Sequence, residues 1–548
     1  MIYIASPTLL ETRYRLAKVK MDSAIPYYYI IYSPIKKVKI VVLPLIIFIV
    51  LTSFLVNSYN GGSDASDNSV LNQAFAQTGK NDASPLVGMN MRGYYTTMSE
   101  QRDVTFNFPS DYYEQSFKIF SQAGIEFVRY VFFWESYEKD PFSFMSEIES
   151  VAQTADKWGI KVIYANDQYD TSSWLGPKTG TGFPSFLFKN NPNYPYGTGG
   201  GIGEKDIVAM RWWDDWFNSS VKDANGVDGW TLQSEFLKKI VNAVDKYKST
   251  LGYEILNEPH VHHANQWEKI GRYNSFMTDQ LRTVTDKTIF FDRQVPSELD
   301  GEIRANPENM AKMAPENTEN VIFKSTIFGL PTDSSYAEAR LHYYAKTAEL
   351  AGVPLCICEF NLRAYDRYEV GESKNVTMTQ DNVDLIVTKI NELGAWGWAA
   401  WLWSLKDHSN PNYDFVDFKD DTIYTTQNFD YVKSAFSNFK VQTSIDTISP
   451  GLYIAPAQIS PDKRHLYANG YAFDVGSGIK SVRIHTNDGE YVNVIPTENR
   501  GIWNWTATLP IVTDKSHRII GLAVDNSGKK EYTTRSLNLD NQQFSTID

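Results

Sequence analysis

The chain is predicted to be an α/β protein, a (β/α)8 TIM barrel with a C-terminal all-β immunoglobulin-like sandwich and an N-terminal membrane segment, and three observations predict this. Between residues 85 and 444, eight short runs rich in β-branched and aromatic residues alternate with helix-length amphipathic segments. Two of those runs end in a glutamate, as barrel strands do when they deliver a side chain to the C-terminal face. After about residue 445 the helical periodicity stops, and short strand-like runs follow one another with turn residues between them.

The units can be taken in order. Residues 85–93 read as the first strand and its loop, and 111–123 as the first helix. Residues 125–131 are the second strand, and 143–158 a helix closed by Gly159. Residues 161–165 are the third strand, followed by a long aromatic and glycine-rich loop and a helix over 231–248. The fourth strand carries Glu258 and is followed by a helix over 266–285. Residues 288–292 and 320–326 are strands five and six, and a helix over 334–350 leads to the seventh strand, which carries Glu359. A helix over 380–393 leads to the tryptophan-rich eighth strand, 396–403. An open doubly wound sheet is the structural alternative. It usually carries a glycine-rich phosphate turn after its first strand, and neither GxGxxG nor a P-loop occurs here.

In the region 445–548 the strand-like runs are 471–475, 482–484, 491–492, 503–505 and 519–523. Asn469-Gly470, Asp488-Gly489 and Asp525-Asn526-Ser527-Gly528 supply hairpin chemistry between them. No stripe of aromatics marks this sandwich as a binding module, so spacing is its expected role.

At the other end, residues 40–56 are apolar and uncharged, the short end of a membrane span. Arg13, Arg15, Lys18, Lys20, Lys36, Lys37 and Lys39 precede them, and Asp64 and Asp67 follow. The positive-inside rule then leaves 1–39 in the cytoplasm and the rest outside. We expect a retained signal anchor, with secretion after cleavage as the alternative, and a flexible linker over 57–84 rich in Asn, Ser, Gly and Asp. Three Asn-x-Ser/Thr sequons, at Asn218, Asn375 and Asn504, fit an external face.

Composition excludes one class of partner. The 548 residues carry a formal net charge of −13 and no basic cluster in the body of the chain, so nucleic acid is not expected to bind. Aromatics reach 14%, with 14 Trp and 33 Tyr, more than packing alone usually takes up. The two cysteines, Cys356 and Cys358, are spaced i, i+2 on one strand. They are expected to share a face as small hydrophobes and to be poorly placed to bridge each other. Oligomeric state is not legible.

The chemistry lies in the two glutamates. Gly252-Tyr253-Glu254-Ile255-Leu256-Asn257-Glu258-Pro259 holds one, and Val353-Pro354-Leu355-Cys356-Ile357-Cys358-Glu359-Phe360-Asn361 the other. A pair of carboxyls is the minimum equipment for breaking a glycosidic bond: one starts protonated to serve the leaving oxygen, the other ionised to attack the anomeric carbon. With the eight-unit context, Asn257-Glu258-Pro259 and the strand-seven Glu359 resemble the retaining glycoside hydrolases of clan A, and among them family 5, the cellulase-like family. The resemblance covers roughly residues 85–440. It implies that Glu258 is the acid/base and Glu359 the nucleophile. It further implies that Asn257 bonds the sugar 2-hydroxyl, that Arg129 at the end of strand two bonds the nucleophile, and that Trp403 floors the −1 subsite. Trp401, on the same face by alternation, is the substitute. Alternation also puts Leu355, Ile357 and Glu359 on one face of strand seven and both cysteines on the other, against the helices.

The chain departs from the family at two strands. Asn166-Asp167-Gln168 stands where the family has a strand-three histidine, which makes Asn166 and Asp167 the substrate-binding candidates there. His342-Tyr343-Tyr344 matches the family's strand-six His-x-Tyr but sits in helical context, so the sixth strand is expected to end without His or Tyr. In the loop from Trp174 to Trp230, Tyr194, Tyr196, Trp212 and Trp213 are candidate sugar platforms or loop packing. His260, His262 and His263 look like ligands for a metal but lack a carboxylate partner at zinc spacing, so His260 is expected at the rim on the leaving-group side. No metal or cofactor is implied. The expected partners are a carbohydrate substrate and, through the N-terminal helix, a membrane. The expected activity is double-displacement hydrolysis of a β-linked O-glycosidic bond in a poly- or oligosaccharide outside the cell. A non-catalytic carbohydrate-binding or surface-layer protein on a degenerate barrel, and a glycolipid-directed glycosidase, stay open.

Overall fold

The computed structural model describes residues 85–538 and 543–545 except for short stretches, chiefly 200–205, 294–304, 332–335, 368–372, 404–410 and 439–449. The apolar run 40–56 and the linker 57–84 lie outside the described residues, so the expected anchor does too. Among the described residues no helix is long and apolar enough to cross a membrane.

Eight parallel strands close into a barrel: β1 (Leu86–Arg92), β2 (Phe127–Phe133), β3 (Lys161–Asp167), β4 (Thr250–Glu254), β5 (Thr288–Phe291), β6 (Val321–Phe328), β7 (Leu355–Asn361) and β8 (Gly397–Trp403). Each pairs with its sequence neighbours, and β8 pairs with β1. The helices that return the chain are α1 (Tyr112–Ala123), α2 (Pro141–Trp158), α3 (Ile207–Phe217), α4 (Gly229–Val244), α5 (Gln266–Arg282), α6 (Tyr336–Ala351), α7 (Gln380–Glu392) and α8 (Gln427–Asn438). The fifth unit has only the short helix Pro307–Ala311 among the described residues.

Local chemistry sets these boundaries. Asp140 caps α2 by accepting from Ser143 N, Pro141 opens the first turn, and Gly159 ends the helix with a left-handed φ of 68°. Phe144, Ile148, Val151, Ala152 and Ala155 recur at helical spacing and form its buried face. Asp228 and Thr379 cap α4 and α7 in the same way.

Inside the barrel, Phe127, Ile163, Phe290, Ile322, Cys356, Cys358, Trp396 and Ala399 form an apolar floor. This corrects the expectation for strand seven. The register of β7 slips against both neighbours, so that Lys324 and Thr326 of β6 face Cys356 and Glu359, and Trp398 and Ala400 of β8 face Ile357 and Phe360. The extra residue, a β-bulge, lets Cys356, Cys358 and Glu359 all face inward while Leu355, Ile357 and Phe360 pack outward. It also brings the cysteine Cα atoms to 5.1 Å, within bridging range, and a disulfide joins them.

A hairpin (Tyr365–Arg367 with Ser373–Asn375) follows β7, and another (Val416–Lys419 with Thr422–Thr425) precedes α8. From Gly451 two five-stranded antiparallel sheets share a core of Leu452, Leu466, Trp505, Ile484, Ile519 and Ala523, among others. This sandwich rests on α6. Tyr343 meets Phe473 at 4.8 Å and Tyr453 at 6.1 Å, and His342 meets Phe473 at 6.2 Å. The His-Tyr-Tyr triplet is thus helical, as its context predicts, and serves the seam between barrel and sandwich.

Gly252 of β4 is required by close approach. A Cβ there would lie 2.2 Å from Thr288 O, a backbone atom of the adjacent strand. Gly252→Ala is expected to cost about 1–3 kcal/mol, read as a lower urea midpoint with an unchanged slope.

Candidate active site

Strand alternation carries one face of every strand into the barrel, and above the apolar floor that face turns polar and charged. Arg129, two residues beyond Phe127 of the floor, is fully buried and is the hub. Its Nε and Nη2 donate to the two oxygens of Glu254, each at 2.6 Å. Nη1 donates to Asn90 Oδ1 at 3.0 Å and Glu359 Oε2 at 3.2 Å, and Nη2 also reaches Asn257 Oδ1 at 2.9 Å. Burial opposes the charge of Arg129, but Glu254 above all outweighs it and holds the guanidinium firmly protonated. Burial likewise opposes ionisation of Glu254, and Arg129 and Lys324 overcome it, keeping that carboxyl below the usual range.

A second buried cation, Lys324, comes from β6. Its Nζ donates to Asn257 Oδ1 at 2.7 Å, Asp292 Oδ2 at 2.8 Å, Thr326 Oγ1 at 3.1 Å and Glu359 Oε2 at 3.1 Å. Burial works against its charge, and Asp292 and Glu359 raise its pKa in spite of that. Lys324, Glu254 and Asp292 are functional neighbours that sequence reasoning missed. The signal was present: Lys324 is the single charge in the apolar run 321–328, and a charge on the inward face of a barrel strand needs a partner.

Strand β4 stops at Glu254, four residues short of Glu258. Glu258 instead sits on a turn with a left-handed φ of 42°, rare for a residue with a Cβ. The turn is held on both sides. Glu258 N donates to Asp292 Oδ2 at 2.9 Å, and Gln168 Nε2 donates to Glu258 O at 2.9 Å and Asn257 O at 3.1 Å. Burial first, and the charge of Glu359 second, push the Glu258 carboxyl up to about 8. Burial also lifts Asp292 to about 6.

The two strand-three candidates separate. Asp167 faces inward, 3.9 Å from Arg92 Nη2 of β1, and burial raises its carboxyl to about 6 against the pull of Arg129 and Arg92. Asn166 faces the other way. Its Nδ2 donates to Ile255 O at 3.0 Å and its carbonyl accepts from Asn257 N at 2.9 Å, so it anchors the segment leading to Glu258 rather than meeting a ligand.

The two tryptophans of β8 also separate, and they exchange the ranks expected of them. The register of β8 against β1 slips between Ala400 and Trp403. Trp401 therefore faces the mouth, 8% exposed, with the Arg92 guanidinium 5.2 Å from its ring. Trp403 is buried outside the barrel, donates to Ser116 of α1 and packs on Phe120 and Phe429. It has no face to offer a substrate.

Trp212 and Trp213 are fully buried, so neither is a platform. Trp212 stacks on Trp216 and Phe188, and Trp213 stacks on His260 at 5.3 Å while donating to Thr171. His260 is accordingly a buried stacking partner and not a rim group. Tyr194 is also buried, with its hydroxyl on Asp215, whereas Tyr196 and Tyr169 are the exposed rings of this loop. His262 lies outside the described residues, and among those described no group of three or more His, Cys, Asp or Glu is placed to hold a metal ion.

Residues 85–407 match the family described as Cellulase (glycosyl hydrolase family 5). Among solved structures the chain is similar to endo-glycoceramidase II from Rhodococcus sp., at 15% identity and a TM-score of 0.46, over 78% of this chain and 97% of that one. It is similar to an endogalactoceramidase at 13% identity and a TM-score of 0.47, over 82% and 95%. A glycoside hydrolase family 5 enzyme from Prevotella bryantii B14 aligns at 12% identity and a TM-score of 0.42, over 69% and 100%. No curated protein matches the chain in sequence.

The two tryptophans are expected to differ on truncation. Trp403→Ala should lose about 3–5 kcal/mol of stability as a core cavity. Trp401→Ala should cost less and weaken ligand binding at the mouth by about tenfold. Thermal unfolding and equilibrium binding on both variants check the contrast, and equal behaviour would contradict the placement.

Proposed function

Because the chain belongs to glycosyl hydrolase family 5, and is therefore a glycoside hydrolase, we propose that it cleaves a β-linked O-glycosidic bond of a poly- or oligosaccharide by double displacement, with Glu359 as nucleophile and Glu258 as acid/base. The observation that carries this reading is the contrast between the two carboxyls. Glu359 Oε2 lies against two cations, Arg129 at 3.2 Å and Lys324 at 3.1 Å. Glu258, half-buried and facing that negative charge, is pushed up to about 8 and so carries a proton at neutral pH.

In the first step Glu359 attacks the anomeric carbon while Glu258 gives its proton to the departing oxygen, which leaves as an alcohol. A covalent glycosyl-Glu359 ester and an ionised Glu258 result. In the second step Glu258 takes a proton from water, the water oxygen attacks the same carbon, and Glu359 is released as a carboxylate. Asn257 serves the 2-hydroxyl, Trp401 the face of the −1 sugar, and Asp167 with Arg92 its outer hydroxyls. The exposed Tyr169 and Tyr196 are the aromatic surfaces of the cleft wall. A tether through residues 40–56, with the catalytic domain outside the cell, follows from the apolar run and the positive charges before it.

Sugar release from β-glucans, β-mannans, xylan and aryl β-glycosides tests the reading. Glu359→Gln should abolish turnover with the fold intact; near-normal activity in that variant sinks the assignment, and silence from a folded wild type favours a binding protein. The pH profile is a second check. Glu258 must be protonated to act, so kcat/KM should fall as pH rises through about 8. That limb should shrink on glycosides with a good leaving group, which needs little protonation.

A further inference from the structure

We propose that Lys324 is the positioning residue for both catalytic carboxyls: one ammonium orients the Asn257 amide, holds one oxygen of Glu359, and is tied through Asp292 to the backbone of the turn that carries Glu258. This rests on the retaining reading above and assigns a residue to the strand where the family resemblance fails.

On β6 the inward positions are Ile322, Lys324 and Thr326. Ile322 belongs to the apolar floor, so the ammonium stands directly above a dry layer, and Lys324 is wholly buried. Four acceptors lie within 3.1 Å of Nζ, more than its three protons can serve singly, which fixes the group tightly. The contacts have chemical consequences. Asn257 Oδ1 receives both Lys324 and Arg129. The amide oxygen is thereby committed downward, and the NH2 group is the end that serves a sugar hydroxyl. Glu359 Oε2 also receives both cations, so Oε1 is the oxygen that attacks. Thr326 Oγ1 also accepts from Lys324. Asp292 completes the device: it neutralises Lys324 and accepts from Glu258 N, so the lysine is tied to the backbone of the acid/base turn as well.

The charges facing Glu359 are Arg92 of β1, Arg129 of β2, Asp167 of β3, Glu258 on the turn beyond β4 and Lys324 of β6. β8 contributes only the Trp401 ring at this level. Lys324 is therefore one of two cations bonded to the nucleophile. Because its charge also lowers Glu258, its removal disfavours the ionised form of Glu258. The alkaline limb of the kcat/KM profile must then move to higher pH.

The test uses the full chain and an aryl β-glycoside. Lys324→Met should lower kcat/KM about a hundredfold or more, mainly in kcat, and shift the alkaline limb to higher pH. Lys324→Arg, which keeps the charge, should leave that limb near wild type. A loss of activity with the alkaline limb unmoved means a structural role only and overturns the proposal, as does unchanged kcat. If Lys324→Met does not fold, Lys324→Gln keeps an N–H donor for Asp292 and takes its place under the same criteria. A measurement without turnover separates this proposal from the reading it rests on. In protein labelled with 13C at glutamate carboxyls, the Glu258 titration should move upward in the variant. A wild type that releases no sugar defeats the glycosidase reading, yet that NMR shift still decides the role of Lys324, and an unmoved Glu258 overturns it.

Discussion

The guanidinium of Arg129 is the constraint on which the catalytic mouth depends. Taking a charge out of water is costly, and the cost is offset only when its donors are met. Here the planar fork meets both oxygens of Glu254 from the next-but-one strand, which fixes its plane. The remaining donors then have set directions, and Asn90, Asn257 and Glu359 are placed by them. Asn90 passes the constraint on by donating to the carbonyls of Cys358 and Ala400. Strands β1, β2, β4, β7 and β8 are thus tied together at one level of the barrel. The apolar floor beneath keeps water away, which strengthens every one of these interactions.

The same logic explains the turn that carries Glu258. A left-handed conformation at a residue with a Cβ persists only where its surroundings over-determine it. Asp292 takes the amide, Gln168 takes the carbonyl, and Gln168 is itself held by Thr171 N. Thr171 in turn accepts from Trp213, which stacks on His260 two residues past Glu258. The aromatic insertion after β3 therefore braces the turn from outside. Trp212, Trp213 and Trp216 are buried because bracing requires packed contacts, and Tyr169 and Tyr196 are exposed among the described aromatics after β3.

The architecture was legible in sequence because its causes are local. Alternating apolar runs, capping residues such as Asp140 and Asp228, and glycines such as Gly159 act within a few positions of themselves, so eight strands with helices between them and the later all-β region could be read without a structure. The apolar runs pointed to Glu258 and Glu359, and the family resemblance to Asn257 and Arg129; those four meet or face one another in the barrel.

What only the tertiary structure decided were the positions where alternation breaks and the partners that lie far away in sequence. A bulge in β7 put both cysteines and Glu359 on the same side, and a slip in β8 sent Trp403 outward and left Trp401 at the mouth. Register depends on the adjacent strand, which no single run of residues contains. Lys324 and Asp292, 32 residues apart, became an ion pair, and Arg129 and Glu359, 230 apart, a hydrogen bond. Side-chain type announces that a buried charge needs a partner; closure of the barrel determines which partner it gets.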